Sequence, residues 1–266
     1  MIITLRQFAI SLLVLLHFAT AFAAPETPVV PLLLSEEVDE KNGLIPLPKE
    51  TTAIIQYLEA TIDLHFELRR YPWKRALEQA KNGEGLIFGI SKTTDRLRKY
   101  AFSEPVYIDQ TWLVTRCDTT FTFNDLQDLK GKTIGVVRGA SSGEAFDQLA
   151  NVLFKIEDDT GANQARFTKL YNRRMNALIF YKPDMVAGKL EVELNRQYAH
   201  HFTDVKKNDA HVFCVLPKPV SAVSIHFAAG IDQDLTYLEL IDKALIRAKK
   251  NGDLQRIFSK DIQIEK

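Results

Sequence analysis

The 266-residue chain has only two cysteines, Cys117 and Cys214, and no excess charge of either sign: 34 Lys and Arg stand against 34 Asp and Glu. Balanced charge argues against nucleic acid or an anionic membrane surface as the main partner. Two cysteines allow at most one internal bridge. In an oxidising compartment such a pair invites a disulfide, the alternative being two separate buried thiols. No long apolar run follows the first 26 residues, which excludes a second membrane-crossing segment. There is no P-loop and no dinucleotide G-x-G-x-x-G. Repeats at solenoid periods are missing, and so are low-complexity tracts. His200, His201 and His211 do not form a His-x-x-x-His helix with a carboxylate partner, so they read as solvated or core residues. No metal, cofactor or covalent catalytic constellation is expected.

What is present begins with MIITLRQFAISLLVLLHFATAFAAPE: a short basic region at Arg6, an apolar run from Phe8 to Phe18, and Ala21-Phe22-Ala23 as a small-x-small cleavage site. Residues 1–23 read as a secretory signal peptide, with the mature chain starting at 24 and exported, most simply to a bacterial periplasm. The remainder, in a chain 46% hydrophobic and 26% charged, has the composition of a folded globular protein.

After the proline-rich PETPVVP the pattern alternates helix and strand. Ile54, Ile55, Leu58 and Ile62 lie at helical spacing, Leu64, Phe66 and Leu68 alternate as in a strand, and YPWKRALEQAKNG carries Ala76, Leu77 and Ala80 on one helical face between Pro72 and Gly83. GLIFGI follows as a strand. TWLVTR and TIGVVRG read as further strands flanking a short helix begun by Asn124 and closed by Gly131, as if a second sheet starts there. SSGE at 141–144 spells a capping box, opening a helix that carries Ala145, Leu149, Val152 and Leu153. FTKLYN and PDMVAG read as strands around a helix at RRMNALIFY. KLEVELNRQYAHHF is a helix, HVFCVL and SAVSIHFAAG are strands, and the chain ends in a long amphipathic helix broken near Asn251-Gly252. This is an α/β pattern, in which ligands bind at the carboxyl ends of strands. Two anion-binding features sit at such ends: Arg96 after GLIFGI, a fork suited to carboxylates, and the helix start at Ser141 and Ser142.

Three segments carry a resemblance: YPWKRALEQAKNGEGLIFGISKTTDRLRKYAFSEPVY, DLKGKTIGVVRGASSGEA and IDKALIRAKKNGDLQRIFSKD. T-x-x-R followed by F-S-x-P-x-Y is its most specific part. In order and spacing across nearly the whole mature chain they resemble the extracellular solute-binding proteins of family 3, periplasmic receptors of polar amino acid ABC transporters. The resemblance implies a two-lobed periplasmic binding protein fold of type II. Lobe 1 would comprise 24–113 and 224–266 and lobe 2 residues 114–223, with TWLVT and SAVSIHF as the joining strands. It also implies a ligand α-carboxylate held by Arg96, by Gly89 to Ser91, and by Ser141 with Ser142 beside it. Trp73 falls where the family places an aromatic against the ligand; a core role is the alternative. The implied partners are a small carboxylate ligand and a membrane permease, with the protein a monomer.

Departures stand beside the matches. Asp184 is the first acid of a lobe-2 pattern whose second, the partner of a ligand ammonium, falls at about Lys189. Gly85 stands where the family commonly has Asp, and SEEVDEKNGLIPLP keeps a loop without its usual aromatic. Three functions stay open: a solute receptor for transport, a cyclohexadienyl dehydratase-like enzyme with Glu104 or Glu144 as general acid, and a ligand-presenting sensory protein.

Overall fold

The computed structural model describes residues 27–39, 41–160, 162–183, 186–202, 211–258 and 264. The expected leader over 1–23 and Asp184 lie outside them.

The first strand, β1 (Val29–Ser35), starts inside the proline-rich stretch and pairs in parallel with β2 (His65–Tyr71). Between them α1 (Lys49–Ile62) buries Ile54, Ile55 and Leu58, one face of a helix, and stops at Asp63 in the left-handed conformation. Leu68, expected to be inward, is 44% exposed, because β2 is an outer strand of the sheet. Pro72 precedes α2 (Trp73–Lys81) rather than lying in its first turn, and Trp73, Ala76, Leu77 and Ala80 form the buried face. β3 (Leu86–Ser91), β4 (Tyr100–Phe102) and the ten-residue β5 (Tyr107–Arg116) follow.

In the middle of the chain a 3₁₀ turn, Leu126–Leu129, is capped by Asp125 rather than begun by Asn124. Then come β6 (Thr133–Val137), α3 (Glu144–Leu149), β7 (Lys155–Asp159), α4 (Asn163–Tyr171), β8 (Ala177–Lys182) and α5 (Ala187–Tyr198). Three sequence readings are corrected here. FTKLYN is helical, since Phe167 and Leu170 are buried three residues apart, not two. ALIFY within RRMNALIFY is a strand. It lies between β5 and β6, so Ala177, Leu178 and Ile179 are buried on both faces and the run looks as apolar as a core helix. PDMVAG leads into α5 instead of forming a strand. α3 is also shorter than expected: Val152 lies beyond its end and is 80% exposed.

β9 (Phe213–Val215), β10 (Ser221–Gly230), α6 (Thr236–Asn251) and α7 (Asp253–Ile257) complete the chain. The strands form one curled sheet in the order β2-β1-β3-β10-β5-β8-β6-β7, not two separate sheets; β4 adds to β10 and β9 to β5. Continuity rests on β5 and β10, which pair antiparallel through Tyr107–Thr111 and Ser221–Ile225. β10 then runs on beside β3, and β5 beside β8.

Two bodies of core pack on this sheet. One gathers Leu32, Phe66, Phe88, Phe227 and Ile241 on one face and Leu33, Trp73, Ile87 and Tyr100 on the other. The second gathers Trp112, Phe167, Leu194 and Phe213 on one face and Leu113, Ile134, Phe146 and Ile179 on the other. Each buried large side chain contributes roughly 1.5–3 kcal/mol of transfer free energy. Cys117, just past β5, and Cys214, in β9, are joined by a disulfide with Cα atoms 4.9 Å apart; the β5–β9 ladder brings them to that range.

Candidate functional site

The spacing T-x-x-R acquires its meaning at the end of β3. Thr93 accepts the Arg96 N–H at its Oγ1 (3.2 Å) and the Leu97 N–H at its carbonyl (3.0 Å), which folds the 3₁₀ turn Arg96–Arg98 back over the strand end. The Arg96 guanidinium, only 7% exposed, then donates to the Ser91 carbonyl (2.8 Å) and Oγ (2.9 Å) with one nitrogen. With the other it donates to the Gly139 carbonyl (2.9 Å), in the turn after β6. One side chain therefore joins the two halves. Burial pulls its pKa down, and the negative charge of Asp147 is the largest influence in the other direction. Gly89, φ 97°, holds a left-handed conformation, and the Trp73 ring lies 3.9 Å from where a side chain there would begin. Trp73 itself is buried in the core under α2 and lines a crevice of about 350 Å³ with Lys74, Arg138 and Thr160.

Across the seam lies the turn between β6 and α3. Gly139, φ 81°, approaches α2 so closely that a Cβ would sit 3.3 Å from the Lys74 Cα. Ser141 and Ser142 follow, both buried. The capping box that SSGE spells is not formed. Ser141 Oγ donates to the Asp147 carboxylate, Ser142 N–H donates to the same carboxylate (3.1 Å), and Gly143 N–H donates to Ser141 Oγ (3.2 Å). Asp147, from α3 itself, thus occupies the donors of the turn. Glu144 turns the other way and accepts the Thr94 N–H (3.0 Å), a second bond across the seam; that donor holds its carboxyl below the usual range. A third crosses at Asn163 Nδ2, which donates to Glu37 Oε1 (2.6 Å).

Gly139 to Gly143, GASSG, also spell the G-x-S-x-G of a nucleophile elbow. Activating a serine there takes an imidazole base. Ser141 instead donates to an aspartate of its own helix.

The floor of the seam is made by β5, β10 and β8. Ser221 Oγ donates to the Ser142 carbonyl (2.7 Å) and Tyr181 Oη shares a hydrogen bond with Ser142 Oγ (3.1 Å). Sequence reasoning missed Asp147, Tyr181 and Asp109, all of which belong to this cluster; the signal it had was an acid at 109 interrupting an apolar strand. Lys189, at the position expected to face a ligand amine, is exposed on the first turn of α5. β8 ends at Lys182, and the residue it presents here is Tyr181. Glu104 faces Lys249 at 3.8 Å and lines a pocket with it and Ser91.

Cys117, Cys214 and His211 lie close enough together to hold a metal ion, but the two sulfurs are bonded to each other and offer no thiolate.

Among solved structures the chain is similar to a mutant of ArgBP from T. maritima, with TM-score 0.65 and 18% identity over 88% of this chain and 94% of that one. It is similar to ArtJ of Geobacillus stearothermophilus, an arginine-, lysine-, histidine-binding protein, with TM-score 0.65 and 18% identity over 87% and 94% of the two chains. A third is AbpA of Streptococcus pneumoniae bound to L-arginine, with TM-score 0.64 and 18% identity over 86% and 92%. At that identity the likeness is one of fold, the two-lobed type II periplasmic binding protein architecture. No curated protein sequence matches the chain significantly. The family model for bacterial extracellular solute-binding proteins, family 3, matches residues 51–263, and the chain belongs to that family.

Proposed function

We propose that the chain is a periplasmic receptor that captures a small carboxylate, most simply a polar amino acid, and delivers it to the permease of an ABC transporter. It acts as a monomer, with its leader removed after Ala23. Its lobes are residues 24–113 with 224–266 and residues 114–223, and β5 and β10 bend as they close on ligand. The observation that carries the reading is Arg96: a buried guanidinium with no carboxylate in salt-bridge contact among the described residues, bonded to backbone acceptors on both sides of the seam. A ligand carboxylate entering there replaces neutral acceptors with a charged one, and charge-assisted bonds are about twice as strong. Ser91 and Gly89 on one side and Ser141 and Ser142 on the other complete its surroundings, with Trp73 packed behind Gly89. Relatives in fold that bind arginine, lysine, histidine or glutamine support an amino acid as the ligand class.

A receptor fits better than a dehydratase. A general acid must carry a proton near neutral pH. Glu144 is held below the ordinary carboxylate range by the Thr94 N–H.

The test is a melting-temperature screen of residues 24–266 against L-arginine, L-lysine, L-histidine and L-glutamine. A ligand at a hundredfold excess over Kd stabilises by about 2.7 kcal/mol, which raises Tm by roughly 5–10 °C for a chain of this size. If none of the four moves Tm, the amino acid reading is wrong.

Asp147 gives a second expectation. Its carboxylate competes with the ligand's for the Ser141 hydroxyl and the Ser142 N–H. Asp147→Ala should therefore raise affinity for an amino acid by about tenfold, the scale of one charge-assisted hydrogen bond. Unchanged or weaker binding in a titration of the variant would show that the turn is no part of the carboxylate site.

A further inference from the structure

One ionisable group at the seam has no role in the arrangement so far. Asp109 lies in the middle of β5, opposite Val223 of β10; two residues on, Thr111 is opposite Ser221 of β10 and Tyr181 of β8. Strand alternation puts Asp109, Thr111, Ser221, Val223 and Tyr181 on one face of the sheet. That face meets the Ser141–Ser142 turn. Ser221 bonds to the Ser142 carbonyl and Tyr181 to the Ser142 hydroxyl. Val223 Cγ1 is 3.9 Å from where a side chain at Gly143 would begin.

Asp109 is 8% exposed, and its Oδ1 has no hydrogen-bond partner among the described residues. Burial pushes its carboxyl up to about 7, against the pull of the Gln110 backbone N–H and of Lys182. A buried carboxylate in this state costs free energy until a cation or an N–H donor meets it. Neither Lys182, the cation that acts on Asp109, nor Arg96 is bonded to it. Arg96 is turned to Ser91 and Gly139, and Lys182, on the opposite face beside Gln110, is bonded to Glu193 (2.8 Å). Tyr181 interacts electrostatically with Arg96 and with Asp109.

We propose that Asp109 is the ammonium subsite of the ligand cleft, so that a ligand lies with its carboxylate toward Arg96 and its amine toward the carboxylate of β5. The proposal rests on the receptor reading and adds to it the residue that meets the ligand's amine. It also supplies the anionic partner that Lys189 cannot be.

Titration calorimetry of wild type and Asp109→Asn tests it, with L-arginine, L-lysine, L-histidine and L-glutamine each run beside its des-amino analogue: 5-guanidinopentanoate, 6-aminohexanoate, 3-(imidazol-4-yl)propanoate and 4-carbamoylbutanoate. The expected result is a loss of about thirtyfold or more for the amino acid in Asp109→Asn, the scale of an unpaired buried charge, with less than a threefold change for the analogue. The ratio of the two affinities within one preparation is insensitive to a partly misfolded fraction, and Asp109→Ser is the second variant should the amide not fold. If wild type binds an analogue as tightly as its amino acid, or the ratio is unchanged in the variant, the amine does not reach Asp109 and the proposal falls while the receptor reading stands. If wild type binds none of the eight compounds, the receptor reading falls and takes the proposal with it.

Discussion

Arg96→Ala should abolish the rise in melting temperature that an amino acid produces in wild type. The guanidinium is buried, and its three hydrogen bonds go to Ser91 twice and Gly139 once. Leaving a buried ligand carboxylate without its partner costs on the order of 2–5 kcal/mol, a loss of affinity from about thirtyfold to several thousandfold. The unliganded protein should suffer less. Alanine strands the Ser91 and Gly139 carbonyls, but it also removes a charge from a desolvated place, and the two effects oppose each other. Arg96→Lys separates charge from shape. An ammonium keeps the charge but cannot span two acceptors on opposite sides of the seam with a planar fork, so the lysine variant should keep less than a tenth of the affinity. Binding by Arg96→Ala within threefold of wild type would remove Arg96 from the site and with it the main support for a carboxylate ligand.

Stability has its own dominant prediction in the Cys117–Cys214 disulfide. The bridge closes a loop of 97 residues in sequence, from the end of β5 to β9. In the chain-entropy account a loop near that length restrains the unfolded chain by about 4.7 kcal/mol, and bridges of this kind typically contribute 2–4 kcal/mol. The double variant Cys117→Ser, Cys214→Ser should therefore lose about 2–4 kcal/mol in urea unfolding. Reducing agent should have the same effect on wild type and none on the variant. Most residues of the second body of core lie inside this loop. Hydrogen exchange should accordingly quicken first in α5, β8 and β9, while β1 to β3 keep their protection. A variant within 0.5 kcal/mol of wild type would mean that the β5–β9 pairing persists in the unfolded chain without the bond. Disulfides persist in oxidising compartments, so a formed bridge agrees with an exported protein.

Much of this was legible in the residues, and the failures have physical causes. α1, α2 and α6 were readable because amphipathic helices on the outside of a sheet show their period. β8 was not, because a strand in the middle of a sheet is apolar on both faces and looks like a buried helix. FTKLYN was misassigned on composition, although Phe167 and Leu170 already had helical spacing. SSGE contained the letters of a capping box, but Thr94, from across the seam, claims the Glu144 carboxylate and Asp147 takes its place at the serines. Local motifs lose to tertiary partners when a stronger donor or acceptor is brought close.

The sequence by itself determined the family, through T-x-x-R, F-S-x-P-x-Y and the DLKGKTIGV block, and with it the two-lobed α/β plan and the placing of Arg96 and Ser141 at strand ends. Those features are local: a turn, a strand end and a helix start each need only a few consecutive residues. The tertiary structure decided that Cys117 meets Cys214, that Arg96 reaches Gly139, that Asp147 fills the serine turn, and that Asp109 and Tyr181 share a face with it. Most of these depend on the register of strands or on loops dozens of residues apart. A shift of one residue turns every side chain of a strand to the other face, and no short stretch of sequence specifies that register alone.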